Sequence, residues 1–484
     1  MIARRVVLVA LAALLLAGTA GAARVFVPND PLAPRQWYLT RDRAFDSWTD
    51  LPQLSPVRVA VIDSGIDLGH PEFQGRVVAS KSFVGGSVAD HQGHGTFVAG
   101  EIAATLGNAQ GIAGMAFPAD LLIAKVVDSD GTILPGVEAR AIRWAVDHGA
   151  QVINLSIGGI RDPPHPSRDT YSSLERGAIE YARSQDVVVV AAVGNGDQAP
   201  EIPWNFASYP AALPHVIGVS ALAQDGSIPA FSNRDSIYND IAAPGDAILS
   251  TFPRSLTADR PSCADQGYSD CGPLEYRDAE GTSFAAPQVA AAAALLLAAQ
   301  PELTSDQVTA ILEHSAVDVS PATGCRRCGP ARDALSGWGR LDVTAALTAA
   351  EASLPEADRY EANDDAGVRA ATVYGRKRRL QATVDFWDDQ IDVYRVKLRK
   401  AQRMVAALRG PGGHNLDLVL WKPGTEHVDT LTAAFSGRRL TQSARPGPNE
   451  RVVYRARAGG WYYLEVKITA PGYGGYSLEI TKKK

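Results

Sequence analysis

Val57-Arg-Val-Ala-Val-Ile-Asp63-Ser-Gly65-Ile-Asp67 is a short apolar run that stops on a carboxylate and a glycine turn. The run is too short for a helix of useful length and is rich in β-branched residues, so Val57–Ile62 reads as a buried strand. Five further runs of the same kind follow at Leu121–Val127, Gln151–Ile157, Val187–Val193, His215–Ser220 and Asp240–Ala243. Helical patterns at Phe97–Leu106, Gly136–His148, Ser172–Ser184 and Phe284–Ala299 are interleaved with them. Short apolar strands alternating with helices predict an α/β fold, a doubly wound and mostly parallel sheet flanked by helices. In such sheets the chemistry gathers outside the carboxyl ends of the strands. Asp63 stands at one of those ends.

Outward from this core the pattern changes. Residues 350–360 are polar, carry Pro355 and read as a linker. Beyond them, Ile391–Leu398, Arg403–Leu408, Leu416–Trp421, Val452–Arg457, Trp461–Ile468 and Tyr476–Ile480 are short, β-branched or aromatic, and separated by Gly and Pro turns. No long helical pattern appears among them, so 361–484 is expected to form a small antiparallel β-sandwich. Trp461, Tyr462 and Tyr463 are expected to lie half in its core, and the basic run Arg376-Lys-Arg-Arg379 to be a solvated turn.

At the other end, Arg4 and Arg5 precede an apolar stretch from Val6 to Ala17 and the small-residue sequence Ala20-Gly21-Ala22. That order reads as a secretory signal peptide over 1–22, since the stretch is too short to span a bilayer. The Val289–Ala299 run is likewise short and reads as a buried helix. A net charge of −6 gives no basic footprint for nucleic acid. The four cysteines, Cys263, Cys271, Cys325 and Cys328, are expected to pair as disulfides in an oxidising compartment. Three pairings exist. The local one, Cys263–Cys271 with Cys325–Cys328, is the one expected. The spacing of the first pair does not suit a zinc site.

Two more segments bring reactive groups to the sheet. His91-Gln-Gly-His94-Gly-Thr-Phe-Val-Ala-Gly100 places His94 at a helix start, and Gly281-Thr-Ser283-Phe-Ala-Ala-Pro287 places Ser283 at the mouth of the long apolar helix. A serine hydroxyl is a weak nucleophile until an imidazole takes its proton, and the imidazole needs a buried carboxylate to fix its tautomer. Each residue alone has an ordinary structural use, as turn former, core histidine or helix cap. Asp63, His94 and Ser283 together, in that order, supply the three parts of acyl-transfer catalysis.

These segments resemble the Asp, His and Ser signatures of the subtilisin-like serine proteases, over roughly Pro28 to Ala349. The resemblance implies a secreted endopeptidase with Ser283 as nucleophile, His94 as general base and acid, and Asp63 as its orienting carboxylate. It also implies that Asn195, in Val190-Ala-Ala-Val-Gly194-Asn195-Gly, helps form the oxyanion hole. Ser156, Ile157 and Gly158 would pair with the substrate backbone, and Ala192, Val193 and Gly194 would wall the primary pocket. Ala243-Pro-Gly245 resembles the turn that precedes the serine. Asp30, Glu72 and Asn108 resemble positions that supply a structural calcium ion in some relatives. Two residues depart from the common pattern: Phe97 replaces a second histidine, and Phe284 replaces a methionine that is open to oxidation. Relatives usually carry a folding propeptide after the signal. Here Pro28-Asn-Asp30-Pro31 resembles a mature N-terminus, so no propeptide domain is expected in cis. Glu361-Ala-Asn-Asp364-Asp365, Asp389–Val396, Leu416-Asp417-Leu418 and Gly475-Tyr476 resemble the pre-peptidase C-terminal domain of secreted bacterial proteases. The partners expected are protein or peptide substrates, met by a monomer that keeps no membrane anchor once the signal is cleaved.

Overall fold

The computed structural model describes residues 25–257, 275–352, 358–387, 389–429, 431–470 and 472–483. The expected signal segment and the expected Cys263–Cys271 pair lie outside the described residues; Cys325 and Cys328 form a disulfide as expected.

The first seven strands are β1 (Val57–Asp63), β2 (Val77–Ser82), β3 (Ala119–Lys125), β4 (Val152–Leu155), β5 (Val188–Ala192), β6 (Ile217–Leu222) and β7 (Ile241–Pro244). They form one sheet in the order β2-β3-β1-β4-β5-β6-β7, parallel throughout. β2 was not legible: its alternating exposure at the sheet edge leaves no continuous apolar run. The helices in chain order are α1 (Trp37–Arg41), α2 (His94–Ala103), α3 (Pro135–Asp147), α4 (Ser173–Ser184), α5 (Arg254–Thr257), α6 (Ala286–Ala299), α7 (Ser305–Ser315), α8 (Val343–Ala350) and the short α9 (Ala433–Ser436).

The alternation of side chains along β1 explains why both faces are covered. Val57, Val59 and Val61 join a core with α2 and α6, while Ala60 and Ile62 join one with α3 and α4. α6 is apolar because it runs through the centre of the first core: every residue from Ala286 to Ala298 is buried. The chain leaves β1 towards β2 and β3, then crosses to β4 on the other side of β1. The site opens at this reversal, beyond the carboxyl ends of β1 and β4. A small antiparallel pair, β8 (Ile248–Thr251) with β9 (Tyr276–Ala279), delivers the chain to Ser283.

The C-terminal strands are β10 (Ala371–Val373), β11 (Lys377–Asp385), β12 (Ile391–Leu398), β13 (Arg403–Arg409), β14 (Leu416–Trp421), β15 (Arg439–Ser443), β16 (Asn449–Arg455), β17 (Gly460–Ile468) and β18 (Tyr473–Lys483). They stack as a five-stranded sheet, β10-β12-β17-β14-β15, on a four-stranded one, β11-β18-β13-β16. All pairings are antiparallel except β10 with β12. Tyr462 and Tyr463 are buried, and Trp461 lies half-buried under Arg395 and Lys397. The basic run corrects the sequence reading. Lys377, Arg378 and Arg379 are exposed but lie within β11, where pairing with β18 replaces the expected turn.

The sandwich is docked on the first sheet's helices through charge. Arg176 of α4 is buried and pairs with Asp365, Asp429 and Glu180. Arg183, about two turns further along the same face of α4, bridges Asp306 and Asp364 at 2.8 and 2.9 Å. Trp387 stacks on His314 and Trp338 beside them. Removing one partner of a buried ion pair strands the others, a loss of about 3–5 kcal/mol. Arg176→Ala is therefore expected to lower the free energy of chemical unfolding by an amount on that order and to free the sandwich for limited proteolysis. A stability equal to that of the parent protein would contradict the role given to this arginine.

Candidate active site

Asp63 ends β1 with its side chain 1% exposed, a costly place for a carboxylate unless its lone pairs are occupied. They are. Ser64 N–H donates to Oδ1 at 2.6 Å, and His94 Nδ1 lies 2.8 Å from Oδ1 and 3.0 Å from Oδ2. This orients the imidazole with Nδ1 on the carboxylate, which makes Nε2 the basic nitrogen of the neutral ring. Burial opposes the charged imidazole, but Asp63, with a smaller contribution from Asp90, outweighs it and raises the His94 pKa above its ordinary value.

His94 is the first residue of α2, and Gly93 at the cap has no side chain to satisfy the helix. Asp90 does this work. Its Oδ1 accepts from Gln92 N and Gly93 N, and its Oδ2 from Thr96 N and Thr96 Oγ1. Ser64 Oγ donates to the same carboxylate and accepts from Gly95 N. Asp90 and Ser64 thus set the helix that carries His94. Sequence reasoning missed both; an acidic residue just before a glycine-started helix was the available signal.

Ser283 sits in a 3-10 turn, Thr282–Phe284, just before α6. Gly281 precedes it at φ 148°, a conformation that favours glycine. Gly281 N–H is tied to the Gly245 carbonyl at 2.8 Å, which accounts for the Ala243-Pro-Gly245 turn. The Ser283 hydroxyl donates to the Ser156 carbonyl at 3.0 Å, and Ser156 Oγ donates back to the Ser283 carbonyl at 2.7 Å. The nucleophile loop is thereby stitched to the end of β4. The His94 ring packs on Phe284, which follows the serine, at 5.4 Å between centroids. Phe284 and Phe97 pack on each other at 4.4 Å, so the two departures from the family pattern form one contact.

Asn195 follows β5. Its Oδ1 accepts from Thr282 N at 3.0 Å and Thr282 Oγ1 at 2.9 Å, which commits the oxygen and leaves the amide N–H groups for another acceptor. Thr282 is a second residue the sequence did not single out. Ser156–Gly158 and Val193–Gly194 follow directly on β4 and β5 beyond the sheet, with Gly194 at φ 93°. Ser208 N donates to the Val193 carbonyl, and Tyr209 exchanges both backbone hydrogen bonds with Gly159.

Asp30, Glu72 and Asn108 also converge. Asp30 accepts from Gly107 N and Asn108 N, Glu72 Oε2 from Asn108 Nδ2, and Glu72 Oε1 from Ile112 N and Tyr276 OH. Burial raises the Glu72 pKa. Two further clusters can hold a metal ion: Asp358 with Glu361 and Asp392, and Glu180 with Asp365 and His427. In the first, burial and mutual repulsion push Glu361 up to about 9 and Asp392 up to about 7. Glu361 Oε1 and Asn363 Oδ1 have no hydrogen-bond partner there among the described residues. The second cluster already has a cation, the Arg176 guanidinium.

The comparisons agree with this geometry. Residues 55–339 match the model of the Subtilase family, Peptidase S8. Thermitase of Thermoactinomyces vulgaris is 34% identical over 299 residues, 61% of this chain and 93% of that protein. Subtilisin DY of Bacillus licheniformis is 34% identical over 265 residues, 54% of this chain and 84% of that one. Among solved structures, a protease from Pseudoalteromonas arctica superposes with a TM-score of 0.53 at 28% identity, covering 67% of this chain and all of that one. A lanthipeptide protease gives a TM-score of 0.54 at 25% identity, covering 67% and 98%.

A base acts only when neutral, and the raised His94 pKa delays neutrality as pH rises. The acid limb of kcat/KM is therefore expected above 6.5, the ordinary imidazole value. Asp63→Asn should move that limb down, because burial is then opposed only by the smaller effect of Asp90, and should lower kcat by roughly 10⁴-fold. A pH–rate series on both proteins checks the sign.

Proposed function

The chain belongs to the subtilase family, and on that premise we propose that Ser283, His94, Asp63 and Asn195 are the residues with which this serine endopeptidase cleaves internal peptide bonds. The observation that carries the assignment is the His94 Nδ1 contact with both oxygens of buried Asp63, at 2.8 and 3.0 Å. A peptide lies extended between Ser156–Gly158 and Ala192–Gly194, adding a strand to these walls. The Ser283 hydroxyl turns from the Ser156 carbonyl, loses its proton to His94 Nε2, and Oγ bonds to the scissile carbonyl carbon. The oxygen that becomes negative is met by Asn195 Nδ2–H and the Ser283 N–H. The C–N bond breaks as His94 returns the proton to the departing amine, leaving an acyl ester on Ser283. Water then attacks that ester as His94 takes its proton, the Oγ–C bond breaks as His94 hands that proton to Ser283 Oγ, and the acid product leaves. Asp63 keeps its charge throughout and stabilises the imidazolium.

The same reading divides the chain into a signal over 1–22, a catalytic domain over 23–349, a linker over 350–360 and a pre-peptidase-type sandwich over 361–484. Family members are typically secreted, which agrees with a leader at 1–22. A structural calcium ion is assigned to Asp30, Glu72 and Asn108, with Asp358, Glu361 and Asp392 as a second place for the same kind of ion. All their donors are oxygens or reorientable amides, the set a hard cation takes. Such an ion supplies positive charge that offsets the repulsion among the carboxylates.

Residues 24–484 should hydrolyse unfolded casein. Ser283→Ala should lose about 10⁶-fold in turnover and Asn195→Ala about 10²–10³-fold. Folded protein with no activity, or a Ser283→Ala variant as active as its parent, would overturn the assignment. Chelation should lower the melting temperature of the parent chain, and less so that of Glu72→Gln; equal melting with and without chelator would remove calcium from the account.

A further inference from the structure

The loop that joins β14 to β15 leaves the sandwich and reaches the catalytic domain. Leu431 from this loop is buried in the core formed with α3 and α4, and Phe435 packs against the same core. His427, held by Asp365 at 2.7 Å, lies against the Phe435 ring at 5.2 Å, and the Arg176 guanidinium lies over it at 5.8 Å. Phe435 is thus held between His427 of its own loop and Arg176 of α4, two of the groups that dock the parts together.

Its other face meets Tyr171, edge to face, at 5.8 Å. Tyr171 in turn meets Tyr209, edge to face, at 5.7 Å. Tyr209 is fully buried, and its backbone pairs with Gly159 at 2.9 and 2.8 Å. Its neighbour Ser208 holds the Val193 carbonyl at 2.8 Å. The segment 208–209 therefore spans both walls of the cleft. Thr170, beside Tyr171, closes the loop back on the Ile160 carbonyl at 2.9 Å.

We propose that Phe435 of the C-terminal sandwich is a positioning residue for the substrate cleft, acting through Tyr171 on Tyr209 and so on the spacing of the Ser156–Gly158 and Ala192–Gly194 walls. The inference rests on the reading of those segments as substrate walls. It assigns the sandwich a part in binding extended peptide that docking alone does not require. None of these ring and backbone contacts touches Asp63, His94 or Ser283 directly: they bear on Gly159 and Val193, while Ser283 is tied to Ser156, further up the wall, so the chemical step on a short substrate depends on them little.

The test uses the full chain, a chromogenic tetrapeptide, a single-residue ester and the rate of Ser283 labelling by a small fluorophosphonate. An edge-to-face pair shifts an equilibrium by at most about tenfold. Phe435→Ala, and Phe435→Leu, which keeps apolar bulk without the ring, should raise KM for the tetrapeptide about three- to tenfold. Ester turnover, tetrapeptide kcat and labelling should stay within about twofold of the parent. Phe435→Tyr should restore KM. Tyr171→Leu should give the same rise, and the double variant Tyr171→Leu with Phe435→Ala no more than the larger single effect. An unchanged tetrapeptide KM, an equal loss on the ester, or multiplicative effects in the double variant would overturn the proposal. Gly158→Ala separates the two readings, because a Cβ there would meet the Tyr209 carbonyl at 2.3 Å. If it raises tetrapeptide KM and Phe435→Ala does not, the positioning role alone fails. If it leaves tetrapeptide KM unchanged, the wall reading fails and the proposal with it.

Discussion

The contact between buried Asp63 and His94 is the constraint around which the surrounding structure is arranged. A carboxylate at the end of a fully covered strand persists only if donors take its lone pairs, and the imidazole is one of them. That requirement fixes where α2 begins. It explains why Asp90 caps the helix in place of an N-cap side chain, and why Ser64 is tied to both. The fold holds the pair from below through β1, whose seven residues match those of β3 one for one.

A second tie keeps Ser283 in register with His94. The Gln288 amide nitrogen on α6 is shared among Glu101 of α2, the Pro244 carbonyl and the Phe284 carbonyl, at 3.0, 2.8 and 2.7 Å. Burial raises the Glu101 pKa well above the carboxylate range, which favours the neutral acid at this helix contact. The helices carrying His94 and leading from Ser283 are joined by a buried polar knot as well as by alanine packing. Such a knot is specific where apolar packing alone is permissive.

The sheet was legible because strands covered on both faces leave apolar runs that local reading detects. Edge strand β2, exposed on alternate residues, and β15, largely solvated, left no such run. Asp63, His94 and Ser283 stood out because three motifs in a fixed order carry more information than any one of them. Asp90, Thr282 and Gln288 were not, since a cap, an orienting hydroxyl and an interhelical amide are common residues whose partners lie far off in sequence. The extent of β11 was hidden for a different reason: Arg376-Lys-Arg-Arg379 is solvated, but a neighbouring strand, unseen in local sequence, decides its backbone. Asp358 and Glu361 share one turn and Asp392 is carried by β12, so the three carboxylates meet only once that turn is folded against the sandwich.

Arg176 and Arg183 give the helical face of the catalytic domain two cations whose counter-charges come largely from the sandwich. A face built in this way is unfinished on its own. Trimming the chain after α8 would expose Trp338 and leave Arg176 with only Glu180 of the three carboxylates it now holds. The shortened enzyme would carry a cationic, partly apolar scar on this helical face. Such a surface favours adhesion to acidic proteins and to other copies of itself, so the sandwich also serves as the cover that keeps the protease from sticking to its surroundings.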